Sequence, residues 1–103
     1  MRVVYKYSIP RGVGSFTFTL NLPGLVRFLH VDLQNGEPKA WFEVDEASSH
    51  SEHHFRIVGT GDSLGDWACI GTWQDPPYVW HLCRPGAIAW GATASRPAPG
   101  APA

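Results

Sequence analysis

Apolar and polar residues alternate with period two through most of the first 83 positions, and each alternating run ends at a turn signal. Val3-Val4-Tyr5-Lys6-Tyr7-Ser8-Ile9 stops at Pro10, and Phe16-Thr17-Phe18-Thr19-Leu20-Asn21-Leu22 stops at Pro23-Gly24. Successive side chains of a strand point to opposite faces, so these runs predict half-buried strands, and no helical stripe competes with them. Seven strands can be drawn, at about 2–9, 15–22, 26–34, 38–45, 53–60, 67–74 and 78–84. The expected class is all-β: a small antiparallel β-sandwich or partly open barrel of six to seven strands.

Two hairpins carry enough local signal to set a register. Asn35-Gly36 between alternating runs suits a type I′ turn, which needs positive φ at both central residues. Gln34 then faces Glu37, Val31 faces Ala40, His30 faces Trp41 and Leu29 faces Phe42. Leu29, Val31, Leu33, Ala40, Phe42 and Val44 share the core face, while Phe28, His30, Asp32, Gln34, Lys39, Trp41 and Glu43 point outward. Pro38 has no N–H to donate, which predicts that the fourth strand is an edge, at least at its start. In the last hairpin, a turn at Asp75-Pro76-Pro77 puts Gln74 opposite Tyr78 and Cys69 opposite Cys83. Ile70, Thr72, Trp80 and Leu82 then face the core, and Trp73, Val79 and His81 face outward. A cross-strand disulfide is conceivable there, but two reduced core thiols are the favoured expectation in a cytoplasmic chain.

Composition adds bounds rather than chemistry. The 103 residues, 44% apolar with five tryptophans, suffice for one small β core. The net charge is −1 with scattered Lys and Arg, so the electrostatic footprint of a duplex-binding protein is missing and nothing argues for nucleic acid. No apolar run approaches the ~18 residues of a membrane span, and the expected location is the cytoplasm of a bacterial host, away from any membrane. Residues 1–84 read as a single β domain. Residues 85–103 are rich in Ala, Gly and Pro and read as a disordered tail. Deleting the chain from Ser95 onward is expected to leave the melting midpoint nearly unchanged; a large drop would show that the tail packs.

Three constellations are candidates for function. His50-Ser51-Glu52-His53-His54, with His81 or His30 from elsewhere, offers close-set donors, but it lacks the paired spacing of a zinc site, so no metal and no cofactor is expected. Gly59-Thr60-Gly61-Asp62 could cradle an anion with its amides, with Asp62, Asp66 and His81 as titratable neighbours. It lacks the strand–loop–helix setting and the Lys of a phosphate loop, so a tight turn capped by Thr60 and Asp62 is the plainer reading and no catalytic residue is assigned. The third constellation is aromatic. His30, Trp41, Trp73 and His81 all point outward in the registers above and would form a contact face, because Trp is enriched at binding hot spots. If both faces of each sheet are covered, the same tryptophans are core.

The chain also carries a recognisable order of short motifs: Tyr5-Lys6-Tyr7, Leu29-His30-Val31, Gln34-Asn35-Gly36-Glu37-Pro38, and Trp41 followed by Val44-Asp45. Phe55-Arg56-Ile57-Val58-Gly59-Thr60-Gly61, Ile70-Gly71-Thr72-Trp73 and Val79-Trp80-His81 continue it. Over about residues 3–83 this resembles a small family of unknown function found in bacteriophage and prophage genomes. The resemblance implies a β-rich fold and a phage or prophage origin, and it implies no activity. The expected function is that of a non-enzymatic accessory protein that binds a host or phage protein, extending to inhibition of a host defence system. Self-association stays open. The rivals are a nucleotide-like small-molecule binder or minor enzyme at the Gly59-Thr60-Gly61 loop, and a virion or assembly component.

Overall fold

The computed structural model describes residues 1–86. Seven strands follow one another: β1 (Arg2–Ser8), β2 (Phe16–Leu22), β3 (Gly24–Gln34), β4 (Glu37–Asp45), β5 (Ser51–Gly59), β6 (Trp67–Asp75) and β7 (Tyr78–Pro85). They form two antiparallel sheets, one in the order β1-β4-β3 and one in the order β2-β5-β7-β6. The sheets face each other as a sandwich and do not close into a barrel. Proline ends strands where expected, but Leu22-Pro23-Gly24 is tighter than a loop. Only Pro23 separates β2 from β3, and the chain changes sheet at that buried corner. Pro85 closes β7, one residue beyond the expected end, and the Gly86 N–H donates to the Asp66 carbonyl at 2.8 Å. The rest of the expected tail lies outside the described residues.

The β3–β4 hairpin has the I′ turn that its sequence demands, with φ of 53° at Asn35 and 80° at Gly36. Pairing follows expectation from Gln34↔Glu37 to His30↔Trp41, then shifts: Phe28, not Leu29, lies opposite Phe42. A bulge at Leu29 turns Phe28 inward, where its ring meets Phe42 edge-on at 5.8 Å. The outward placement of Phe28 and the core placement of Leu29 are thereby corrected. So is the edge assignment of β4, which is the central strand of its sheet. Pro38 is tolerated because its missing N–H falls on the β1 side at the end of that pairing, where its carbonyl still accepts from the Ile9 N–H at 3.0 Å.

In the β6–β7 hairpin, Asp75 rather than Gln74 pairs with Tyr78, so the connection is Pro76-Pro77 alone. A one-residue change of register moves each side chain to the opposite face. Trp73 therefore pairs with Trp80 and turns inward, 4% exposed, while Thr72 turns outward opposite His81. A bulge at Ile70 restores the offset, so Cys69 does lie opposite Cys83. Gly71 is needed here for proximity: a Cβ would sit 2.7 Å from Val31 Cγ1 and 2.8 Å from Phe28 Cζ, both on the opposing sheet.

The core lies between the sheets. Phe42 of β4 and Phe55 of β5 meet across it at 5.5 Å, flanked by Val31, Ala40, Val44, Ile57 and Leu82. Tyr7 and Phe28 reach Phe42 from its own sheet, and Phe18 stacks on Phe55 at 5.7 Å.

Candidate functional site

The three-stranded sheet turns one face away from the core, and Trp41 stands at its centre. Alternation along β4 buries Ala40, Phe42 and Val44 and leaves Lys39, Trp41 and Glu43 half-exposed on the other side. Trp41 is paired with Lys6 of β1 on one flank and His30 of β3 on the other. The His30 ring lies 5.7 Å from it at 35°. Charged pairs frame these rings. Glu43 bridges Arg2 at 2.9 Å and Arg27 at 2.8 Å, and the Arg27 hydrogen bond holds its carboxyl below the usual range. Lys6 reaches across β4 to Gln34 at 2.6 Å. The result is a sheet face with one aromatic pair set among charged side chains.

The other two members of the expected contact face are elsewhere. Trp73 is in the core, and His81 is on the outer face of the four-stranded sheet, on the far side of the sandwich. His81 is tied on both ring nitrogens, with Thr60 Oγ1 2.9 Å from Nε2 and Thr72 Oγ1 2.9 Å from Nδ1. The Thr60 hydroxyl also lies within hydrogen-bond reach of the Val79 carbonyl, at 3.2 Å. The structure thus unites His30 with Trp41 and separates both from Trp73 and His81.

In the Gly59-Thr60-Gly61-Asp62 loop the polar groups satisfy one another. Ser15 Oγ donates to Asp62 Oδ2 at 2.5 Å and accepts from the Gly59 N–H at 3.1 Å, while the Asp62 N–H donates to the Gly59 carbonyl at 3.0 Å. Gly61 takes a φ of 98°, which only glycine adopts readily. Among the described residues, no group of three or more His, Cys, Asp or Glu is placed to hold a metal ion. His53 and His54 lie on β5, which starts at Ser51, two residues before its expected start, and burial, followed by the neighbouring His54, holds the His53 imidazole below its usual pKa.

The cysteines differ sharply. Cys83 is buried, whereas Cys69 is exposed, which corrects its placement in the core. Burial first, then the adjacent Cys69, pushes the Cys83 thiol up to about 12. The thiolate is the nucleophile in alkylation. Iodoacetamide applied to the folded protein is therefore expected to label Cys69 and spare Cys83, giving one adduct per chain by mass spectrometry. Two adducts before unfolding would contradict the burial of Cys83.

Sequence reasoning missed a cleft of about 390 Å³ at the β6–β7 turn, lined by Phe16, Trp73, Tyr78, Trp80, Arg11 and Asp75 among others. The β1–β2 connection crosses here between the sheets and is pinned by Arg11, which donates to Asp75 Oδ2 at 3.0 Å and to the Gly36 carbonyl at 2.5 Å. The Trp73 indole N–H is buried with no acceptor among the described residues. The signal that could have revealed the cleft was Pro76-Pro77, read as a two-residue turn that brings both tryptophans to the same face.

Residues 1–89 match the model of a family described as a Domain of unknown function (DUF7352). The chain belongs to that family. The match spans all seven strands, so the Trp41 face and the cleft both belong to the DUF7352 domain itself. No curated protein and no solved structure matches the chain.

Proposed function

We propose that this DUF7352 chain is a non-enzymatic binding domain that recognises a protein partner through the outer face of its three-stranded sheet. The observation that carries the reading is Trp41, half-exposed at the centre of the middle strand, beside His30, on a face that no other described element packs against. A large aromatic ring set among charged side chains suits an interface anchor, and such anchors dominate binding energy. The motif resemblance supports placing the domain among phage or prophage accessory proteins of the bacterial cytoplasm. A host protein is then the partner class, and inhibition of a defence complex the role.

The test is a tagged pull-down from bacterial lysate, wild type beside Trp41→Ala, with the captured proteins identified by mass spectrometry. Wild type should retain a defined partner that the variant loses, and the purified partner should bind the variant at least roughly thirtyfold more weakly, the equivalent of about 2 kcal/mol. A partner retained equally by both proteins, or none at all, would count against the Trp41 face.

A second reading is favoured by the cleft. Aromatic walls around a few polar groups, here Phe16, Tyr78 and Trp80 with Arg11 and Asp75, are the usual lining of a small-ligand site. A thermal-shift panel of nucleotides and neutral metabolites tests it. A true ligand at a hundredfold excess over its dissociation constant stabilises by ~2.7 kcal/mol, a gain that Trp80→Ala should abolish.

A further inference from the structure

Four strands lie at sheet edges: β1, β3, β2 and β6. An edge strand presents unpaired backbone N–H and C=O groups, and folded proteins blunt such edges with charge, proline or bulges. Three of the four are blunted here. β1 carries Arg2 and Lys6, β3 has two register shifts, and β6 has one. β2 has none of these devices. Its seven residues, Phe16–Leu22, hold no charge and no proline, and they pair with β5 without interruption. Among the described residues, β2 has no backbone partner on its other side.

We infer that the free edge of β2 pairs with β2 of a second copy of this chain, extending the four-stranded sheet across a two-fold axis at Thr19. Antiparallel pairing about Thr19 places Phe18 opposite Leu20 of the second copy and Thr17 opposite its Asn21. Apolar residues thus meet apolar ones on the inner face, and polar meet polar on the outer face. Such cross-strand pairs are the unit of sheet stability, and an uncharged strand meets no like-charge repulsion when paired with itself. A single strand pair covers less than the ~800 Å² per partner of a standard interface, so the dimer dissociates on dilution. This surface lies on the other sheet from Trp41, and its test does not depend on the partner proposed above.

The test is sedimentation velocity on the full chain from micromolar to millimolar concentration, for wild type, Thr19→Lys and Thr19→Glu. Thr19 is exposed and, among the described residues, makes no side-chain hydrogen bond, so both variants should keep the wild-type circular dichroism. Wild type should pass from monomer to dimer as concentration rises. Each variant alone should stay monomeric, because its two like charges meet at the axis. An equimolar mixture of the two should dimerise again, because the introduced ammonium of one copy then faces the introduced carboxylate of the other. A wild type that is monomeric throughout, a Thr19→Lys variant that dimerises like wild type, or a mixture that stays monomeric would each overturn the pairing.

Discussion

Phe42→Ala is expected to destabilise the domain by about 3–5 kcal/mol, the usual range for deleting a buried aromatic ring. Phe42 is fully buried on the central strand of its sheet. It holds the two sheets together by meeting Phe55 at 5.5 Å, while Tyr7 and Phe28 close on it edge-on at 6.0 and 5.8 Å. Removing it would open a cavity bounded by two sheets, whose backbones are held by ladders and can collapse only partly. Domains of this size have a total stability of about 5–15 kcal/mol, so the loss is a large fraction of the whole. At ~4–8 °C per kcal/mol, the melting midpoint should fall by at least about 12 °C. A fall of only a few degrees would mean that the sheets do not meet at this ring.

The second large effect separates two tryptophans that the chain alone does not distinguish. Trp73→Ala is expected to cost about 3–5 kcal/mol, because the indole lies in the core against Trp80 and the opposing sheet. Trp41→Ala removes a ring from an open face and should cost well under that, on the order of 1 kcal/mol or less. Chemical denaturation of the two single variants gives the comparison directly. Equal costs, or a larger loss at Trp41, would reverse the faces assigned to β4 and β6. A Trp41/Trp73 double variant therefore cannot serve as a clean binding-null protein, and only the Trp41 change tests the interface.

Strand number, strand order along the chain and the β3–β4 turn are all legible in the sequence, because alternation and Asn35-Gly36 are local signals. Two errors had one cause. Register propagates from the turn, and nothing local reports a bulge or an extra turn residue. The bulge at Leu29 exchanged Phe28 with its neighbour, and counting Asp75 into the turn exchanged the faces of Trp73 and Thr72. The site suffered accordingly. His30 and Trp41 lie in the stretch whose register was read correctly, and the structure does place them side by side. Trp73 lies beyond the misread turn. His81 points away from the core as expected, but outwardness does not say which of two outer faces a residue occupies. The central place of β4 was hidden because pairing with β1 is non-local. The cleft was hidden because Arg11, Phe16 and Trp80 meet only once both sheets are assembled.

Hydrogen exchange at the five indole N–H groups, followed by NMR and assigned with Trp41→Phe and Trp73→Phe, most directly tests the outward Trp41 on which the proposed interface depends. The Trp41 N–H should exchange within the dead time of solvent transfer. The Trp73 N–H, buried although it has no acceptor among the described residues, should persist until the domain opens. A protected Trp41 beside a rapidly exchanging Trp73 would contradict the assignment of faces, and with it the proposed contact surface.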